Sequence, residues 1–389
     1  MLYVGIDLGT YLCRFILAKD NSKSCKINSI EDRFSVVIYD TCVVNFGTME
    51  PGKNIAKTTI YRIERVFEKF KNSLAKHANQ PFQISCVATA ALRFSPQSQE
   101  VIERIQNRFG IKIEVISSGR EIYLSALGCQ DQIKDHALVV DIGSGSTEIA
   151  YVTKKDDVIV VQDYISLDLG LINNGVEKQR RNDALHKLEK FAEKYHGLPI
   201  ICSKCNTLKI AYNYFHKKRD SWVDGQRFNV SDLYKALQSF NRMNVQELRK
   251  MPSVGLKKTR LIKSGLPWVY LMIKSMRIDS LVLSEYGLKE GIILDMLSND
   301  NSSNILDTQK HFEKANSNSL QSKKKLINIG KNHVLKRNFN IVKKENEEDV
   351  SGAVELKHIN RHEKRTQKDR RYMRHKKNNS KGANTKNAK

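Results

Sequence analysis

The sequence is poor in residues that would mark an extracellular or membrane protein. It has no apolar run near the ~18 residues of a membrane span, and only seven cysteines in 389 residues. That cysteine count is odd, and the residues are scattered between Cys13 and Cys205, which argues against a disulfide framework and predicts a reducing compartment, the cytoplasm. The opening residues Met1–Asp7 carry neither a basic nor a long apolar stretch, so no secretory leader is expected. No Gly-x-x-x-x-Gly-Lys-[Ser/Thr] loop occurs, which removes the P-loop class. Negative charge is also scarce: 42 Asp and Glu face 66 Lys and Arg, for a net charge of +24.

What is present is enough chain for two to three domains with a sizeable core. Residues 300–389 hold 23 Lys and Arg against 10 Asp and Glu, a net of +13; the preceding 299 residues hold 43 against 32, a net of +11. Such a field attracts polyanions without choosing among them. The polar run Ser298–Asn304 reads as a linker, and the low apolar content beyond it predicts disorder. This basic tail is either a solvated segment or an arm for non-specific nucleic-acid or polyphosphate contact, and it lacks the interleaved aromatics of a stacking surface.

Before the tail the pattern is α/β. Leu2–Asp7 and Leu12–Lys19 flank a short turn as a hairpin. Ile60, Ile63, Val66, Phe67, Phe70 and Leu74 give a helix over Lys57–Ala75. A second helix starts at Ser95-Pro96 and stops at Gly110. A strand over Ile111–Ile116, a helix over Arg120–Gly128 and a strand over Ala137–Ile142 follow.

One motif occurs twice. Val4-Gly5-Ile6-Asp7-Leu8-Gly9-Thr10 recurs as Leu138-Val139-Val140-Asp141-Ile142-Gly143-Ser144, continued by Gly145-Ser146-Thr147. In each copy an apolar strand ends in Asp, then an aliphatic residue, a Gly and a hydroxyl residue. Glycine lets backbone N–H groups approach an anion, a hydroxyl adds a donor, and an Asp at the strand end suits Mg²⁺ held through water. A single copy is also an ordinary hairpin turn. Two copies, each opening one half of the chain, predict a duplicated fold with a phosphate cleft between the halves.

These paired loops resemble those of the superfamily of actin, the heat-shock chaperones and the sugar kinases. Within it, the motif order is similar to the exopolyphosphatase/guanosine pentaphosphate phosphohydrolase family, short two-domain form. Ala88-Thr89-Ala90-Ala91-Leu92-Arg93 resembles the family's Ala-Thr-x-Ala-Leu-Arg. Ile116–Glu121 resembles Ile-Ser-Gly-x-Glu-Glu, with Gly128 following at the family distance. Ser166–Gly170 and Gly287-Leu288-Lys289-Glu290-Gly291 resemble two further elements. The resemblance implies two actin-like (ribonuclease H-like) domains, expected over 1–125 and 126–297, with 298–389 as linker and tail. It implies a phosphohydrolase that attacks terminal phosphoanhydrides with water.

Carried over position by position, Glu121 is the expected catalytic base. Arg93, Gly9, Thr10, Gly143, Ser144, Gly145 and Ser146 are the expected phosphate contacts, and Asp7, Asp141 and Glu148 the expected Mg²⁺ ligands. The substrate is expected to be polyphosphate, with guanosine pentaphosphate as the alternative. A homodimer is expected because dimers are common in the family, and no membrane association is expected. Three departures stand out: Tyr11 where the family has an amide, Ser144 where it commonly has glycine, and Arg120 in place of the first Glu. They leave open a third reading, a polyphosphate- or nucleotide-binding protein with impaired turnover. Cys202 and Cys205 have no second Cys/His pair to complete a zinc site and read as buried small hydrophobes.

Overall fold

The computed structural model describes residues 1–301, apart from 22–28, 48–51, 53, 78, 173–177, 204, 218–223 and 252–253. Everything predicted for the tail beyond Asn301 lies outside the described residues.

The first sheet contains β1 (Leu2–Leu8), β2 (Leu12–Asp20), β3 (Phe34–Val43), β4 (Phe82–Ala88) and β5 (Ile113–Val115), in the order β3-β2-β1-β4-β5. The β1–β2–β3 meander is antiparallel, and β4 and β5 continue parallel to β1. The second sheet repeats this plan with β6 (His136–Ile142), β7 (Thr147–Lys155), β8 (Val158–Leu167), β9 (Ile200–Cys202) and β11 (Ser280–Leu283), and adds β10 (Gln226–Asn229) outside β11. Again the first three strands are antiparallel, while β9 and β11 run parallel to β6. This is the expected duplicated, actin-like architecture. The shared plan sets Asp7 opposite Arg14 and Asp141 opposite Glu148 in the two hairpins.

The helices are α1 (Ile30–Arg33), α2 (Lys57–Ala75), α3 (Ala90–Phe94), α4 (Ser98–Phe109), α5 (Ser118–Gly128), α6 (Lys178–Lys194), α7 (Asn206–Phe215), α8 (Val230–Arg242), α9 (Val245–Lys250), α10 (Gly255–Met276) and α11 (Leu288–Asn301). The expected bounds of α2 are met. The helix expected from Ser95-Pro96 begins at Ser98, and it ends at Gly110, whose φ of 70° is the left-handed cap that glycine adopts without strain.

Side chains alternate across each sheet, so the central strands feed two cores. Val4, Ile6, Phe15 and Leu17 pack outward on Phe67 and Phe70 of α2 and on Ile105 of α4. Leu138, Val140 and Ile149 pack outward on helices of the second half, including Leu188, Leu208 and Trp268. Between the sheets lie α5 and α11: Ile122, Leu124, Ile292 and Ile293 share one core with Tyr3 and Ile16 of the first sheet and Val139 and Ala150 of the second. Coverage on both faces explains why all seven residues of β1 are buried.

The helices α5 and α11 cross backbone to backbone. A Cβ on Gly291 would collide with the Leu124 carbonyl, and one on Gly128 with that of Gly287, so both motif glycines are packing requirements. The division expected at 125/126 falls inside α5, and that at 297/298 inside α11. The polar run that reads as a linker from Ser298 begins as the last helical turn; its Ser298 hydroxyl donates to the Leu294 carbonyl at 2.9 Å. Ile292–Leu297 already supply the apolar face that carries this turn. No described helix is long and apolar enough to cross a membrane.

Candidate active site

Both hairpin turns open on one cavity of about 60 Å³, room for a few waters. Asp7, Gly9, Thr10, Glu121, Asp141 and Gly143–Ser146 line it. The two loops touch: a Cβ on Gly145 would overlap the Thr10 hydroxyl. Gly145 is therefore the residue that lets loop 2 close on loop 1.

The loops hold their acids differently. Asp7 is 1% exposed and accepts from Arg14 Nη1 at 2.6 Å. Asp141 receives the Ser125 hydroxyl from α5. Burial pushes Asp141 above the usual carboxylate range, opposed by Ser125, by the more distant Arg14 and by the Ser203 hydroxyl.

Arg93 and Glu148 complete the site behind the cavity wall. Arg93, in the last turn of α3, donates from Nη1 to the Ile116 carbonyl at 2.9 Å and to Glu121 Oε2 at 3.0 Å; its Nη2 lies 3.6 Å from Glu148 Oε1. Ile116 immediately precedes Ser117, which caps α5 by accepting from the Arg120 N–H. The same turn therefore fixes the helix start, the guanidinium and Glu121, which sits in the first turn of α5. Glu148, on β7, is fully buried and accepts from the Ser166 hydroxyl of β8 at 3.0 Å. Its Oε2 accepts no hydrogen bond, and Nε and Nη2 of Arg93 donate none.

Burial drives the electrostatics. Glu121, 6% exposed, lies well above the ordinary carboxylate pKa, through desolvation first and Glu148 second, against the pull of Arg93. Glu148 is pushed up to about 7 by the same desolvation, moderated by Arg93 and by the Ser146 and Ser166 hydroxyls. The pair titrates jointly.

Every sequence-predicted residue is thus at or directly behind one cavity. Sequence reading did not assign Arg14, Thr89, Ser203, Asn206, Lys289 or Glu290 to it, yet all line the wall. Lys289 and Glu290, buried and paired with each other, lie in the matched Gly-Leu-Lys-Glu-Gly stretch, which was the signal available. Two of the three departures lie away from the cavity. Tyr11 does not face the cavity; its ring is buried in the second core and its carbonyl accepts from Val44 and Asn45. Arg120 points to α11, where it pairs with Asp295 at 2.5 Å, and it lies over the ring of Tyr123 on its own helix, so it adds no cation to the cleft. Ser144 alone of the three lines the cavity. Cys202 and Cys205 are buried, as expected of small hydrophobes.

Comparison with known proteins bears on the fold and the family. The chain is similar to an exopolyphosphatase from Cytophaga hutchinsonii (20% identity, TM-score 0.64, covering 77% of this chain and 98% of that one). It is also similar to the Aquifex aeolicus member of the Ppx/GppA protein family (22% identity, TM-score 0.60, 78% and 99%). These likenesses establish the fold. A bifunctional 3-dehydroquinate synthase/phosphatase of Fusobacterium nucleatum subsp. nucleatum is 29% identical over 177 residues, 44% of this chain; the match spans a quarter of that relative's length. The sequence profile of the Ppx/GppA phosphatase family matches residues 26–300. The chain belongs to the Ppx/GppA phosphatase family.

Proposed function

We propose that this chain releases terminal orthophosphate from inorganic polyphosphate, with Glu121 as the general base that deprotonates the attacking water. The observation that carries this reading is Arg93, which is set between Glu121 and Glu148 and whose buried Nε and Nη2 donate no hydrogen bond. A guanidinium in that state is ready to engage phosphate oxygens beside the group that receives the water's proton. A carboxylate with a raised pKa is also the better base near neutrality. The loops, through Gly9, Thr10 and Gly143–Ser146, hold the chain of the leaving group. Because Tyr11 and Arg120 stand outside the cavity, they give no support to a loss of turnover.

The site is acid-rich for a phosphate site. Among the described residues, Asp7, Glu121, Asp141, Glu148 and Glu290 face three cations, Arg14, Arg93 and Lys289. Among the described residues no three candidate ligands converge as a closed metal cage. Mg²⁺ does not require one, since it takes one or two carboxylates and completes its shell with water and substrate phosphate. Asp141, held close by hydroxyls, and Glu148, with one free oxygen, fit that demand; Asp7 faces them but is engaged by Arg14. When bound, the ion would neutralise charge on the phosphoanhydride oxygens.

The test is phosphate release from long-chain polyphosphate and from guanosine pentaphosphate, each with Mg²⁺. Release from the chains and not from the nucleotide is expected. Release from the nucleotide alone would overturn the substrate assignment. Binding of either without release would make this a binding protein.

A further inference from the structure

A stripe of α10 backs the second phosphate loop. Leu261, Ser264, Gly265 and Trp268 follow i, i+3, i+4, i+7, which is one face of a helix. Trp268 is 3% exposed, and its indole Nε1–H donates to the Thr147 hydroxyl at 2.9 Å. That hydroxyl donates onward to the Leu169 carbonyl at 2.7 Å. One turn earlier, the Ser264 hydroxyl donates to the Leu171 carbonyl at 2.6 Å, and the bare Cα of Gly265 makes room for the Leu171 side chain. The segment Leu169–Ile172 is thereby pinned to α10. Its own N–H groups then hold loop 2: Leu171 donates to the Gly143 carbonyl and Ile172 to the Ser144 carbonyl, both at 3.0 Å. Gly170 lies so close to Ser144 that any side chain there would collide with the loop backbone. Leu171 and Leu261 emerge on the cavity wall itself.

We propose that Trp268 is a positioning residue for anion binding at loop 2, acting through Thr147 and the Leu169–Ile172 segment. The inference rests on the phosphate-binding role proposed above for that loop. Core filling alone does not call for an indole, since phenylalanine fills a core without bringing an N–H that needs a partner. Here the N–H has a partner, and it is a hydroxyl that accepts and donates at once, between Ser146, which lines the cavity, and Glu148, which pairs with Arg93. In a dry interior such a relay polarises along its length and fixes the loop's position.

The experiment measures affinity for orthophosphate and tripolyphosphate with Mg²⁺, together with kcat, KM and melting temperature, in Trp268→Phe, Thr147→Val and Thr147→Ser. Trp268→Phe and Thr147→Val are each expected to weaken anion affinity and raise KM about tenfold, the scale of one buried hydrogen bond left unmade. The double variant Trp268→Phe/Thr147→Val should be little worse than either alone, because both remove the same link. Thr147→Ser keeps the hydroxyl and should restore near-native binding. A lowered melting temperature with affinity and KM unchanged would overturn the proposal and leave Trp268 as a packing residue. Should Trp268→Phe fail to fold, the contrast of Val with Ser at 147 decides. If the wild type binds phosphate without turnover, the hydrolase reading fails and the affinity arm still tests the relay. Absence of anion binding to the wild type would remove the loop assignment and this inference together.

Discussion

The two Asp-x-Gly loops share one sequence pattern, and the structure shows where they differ. Loop 1 compensates its own charge, because Asp7 has Arg14 opposite it across the hairpin. At the matching position loop 2 has a second acid, Glu148, opposite Asp141. The first half therefore brings an acid already paired with a cation to the cleft, while the second brings two acids, a half-buried Asp141 and a fully buried Glu148, both shifted above the usual carboxylate range. On the proposed reading, the demand for an added cation or proton falls on one half of the duplicated fold. Arg93, delivered by the first half, meets only part of that demand.

The largest effect that would sharpen this contrast is at the shared cation. Arg93→Lys should lower kcat/KM by about 10²-fold or more, because an ammonium cannot engage Glu121, Glu148 and phosphate together. Steady-state kinetics would check it, and near-native activity would show that a point charge suffices. Next in size is a test of the asymmetry itself. Asp141→Asn should raise the Mg²⁺ concentration for half-maximal activity by at least about tenfold, and Asp7→Asn by much less. Equal shifts in a Mg²⁺ titration would mean that the loops share the cation.

A smaller effect concerns stability. The pKa of Glu148, about 7 in the folded state, exceeds its unfolded value, so the folded protein binds the extra proton. That contribution is complete below the unfolded pKa and is lost as pH rises through about 7. Metal-free wild type should therefore lose melting temperature from pH 6 to pH 8, and Glu148→Gln should lose less. Thermal scans at the two pH values would decide, and parallel slopes would contradict the assignment. The smallest effect belongs to Arg120→Ala, which breaks a part-exposed pair with Asp295 and should cost at most about 1 kcal/mol with unchanged kcat.

What the sequence disclosed and what it hid divide on physical grounds. The hairpins, α2 and the Gly110 stop rest on local periodicity and turn chemistry, so they could be read residue by residue. Glu121, Arg93 and the loop residues were picked out by the family resemblance of their motifs, and the fold brings them to one cavity, with Arg93 directly behind its wall. The return of α11 to the first sheet could not be read, because it depends on a crossing with α5 made possible by Gly128 and Gly291, far apart in sequence. The direction of Arg120 could not be read for a related reason: its position beside Glu121 in sequence places it on another face of α5, towards Asp295. Ser203 and Asn206 reach the wall only through the β6–β9 pairing, which carries no local signature.

The central claim is that Glu121 receives the proton of the attacking water. Its most direct test compares phosphate release from polyphosphate by wild type and Glu121→Gln, with Mg²⁺ and at matched substrate occupancy. A loss of kcat of about 10²-fold or more with binding retained is the expected result. Undiminished release by Glu121→Gln would contradict the account and move the base elsewhere in the cleft.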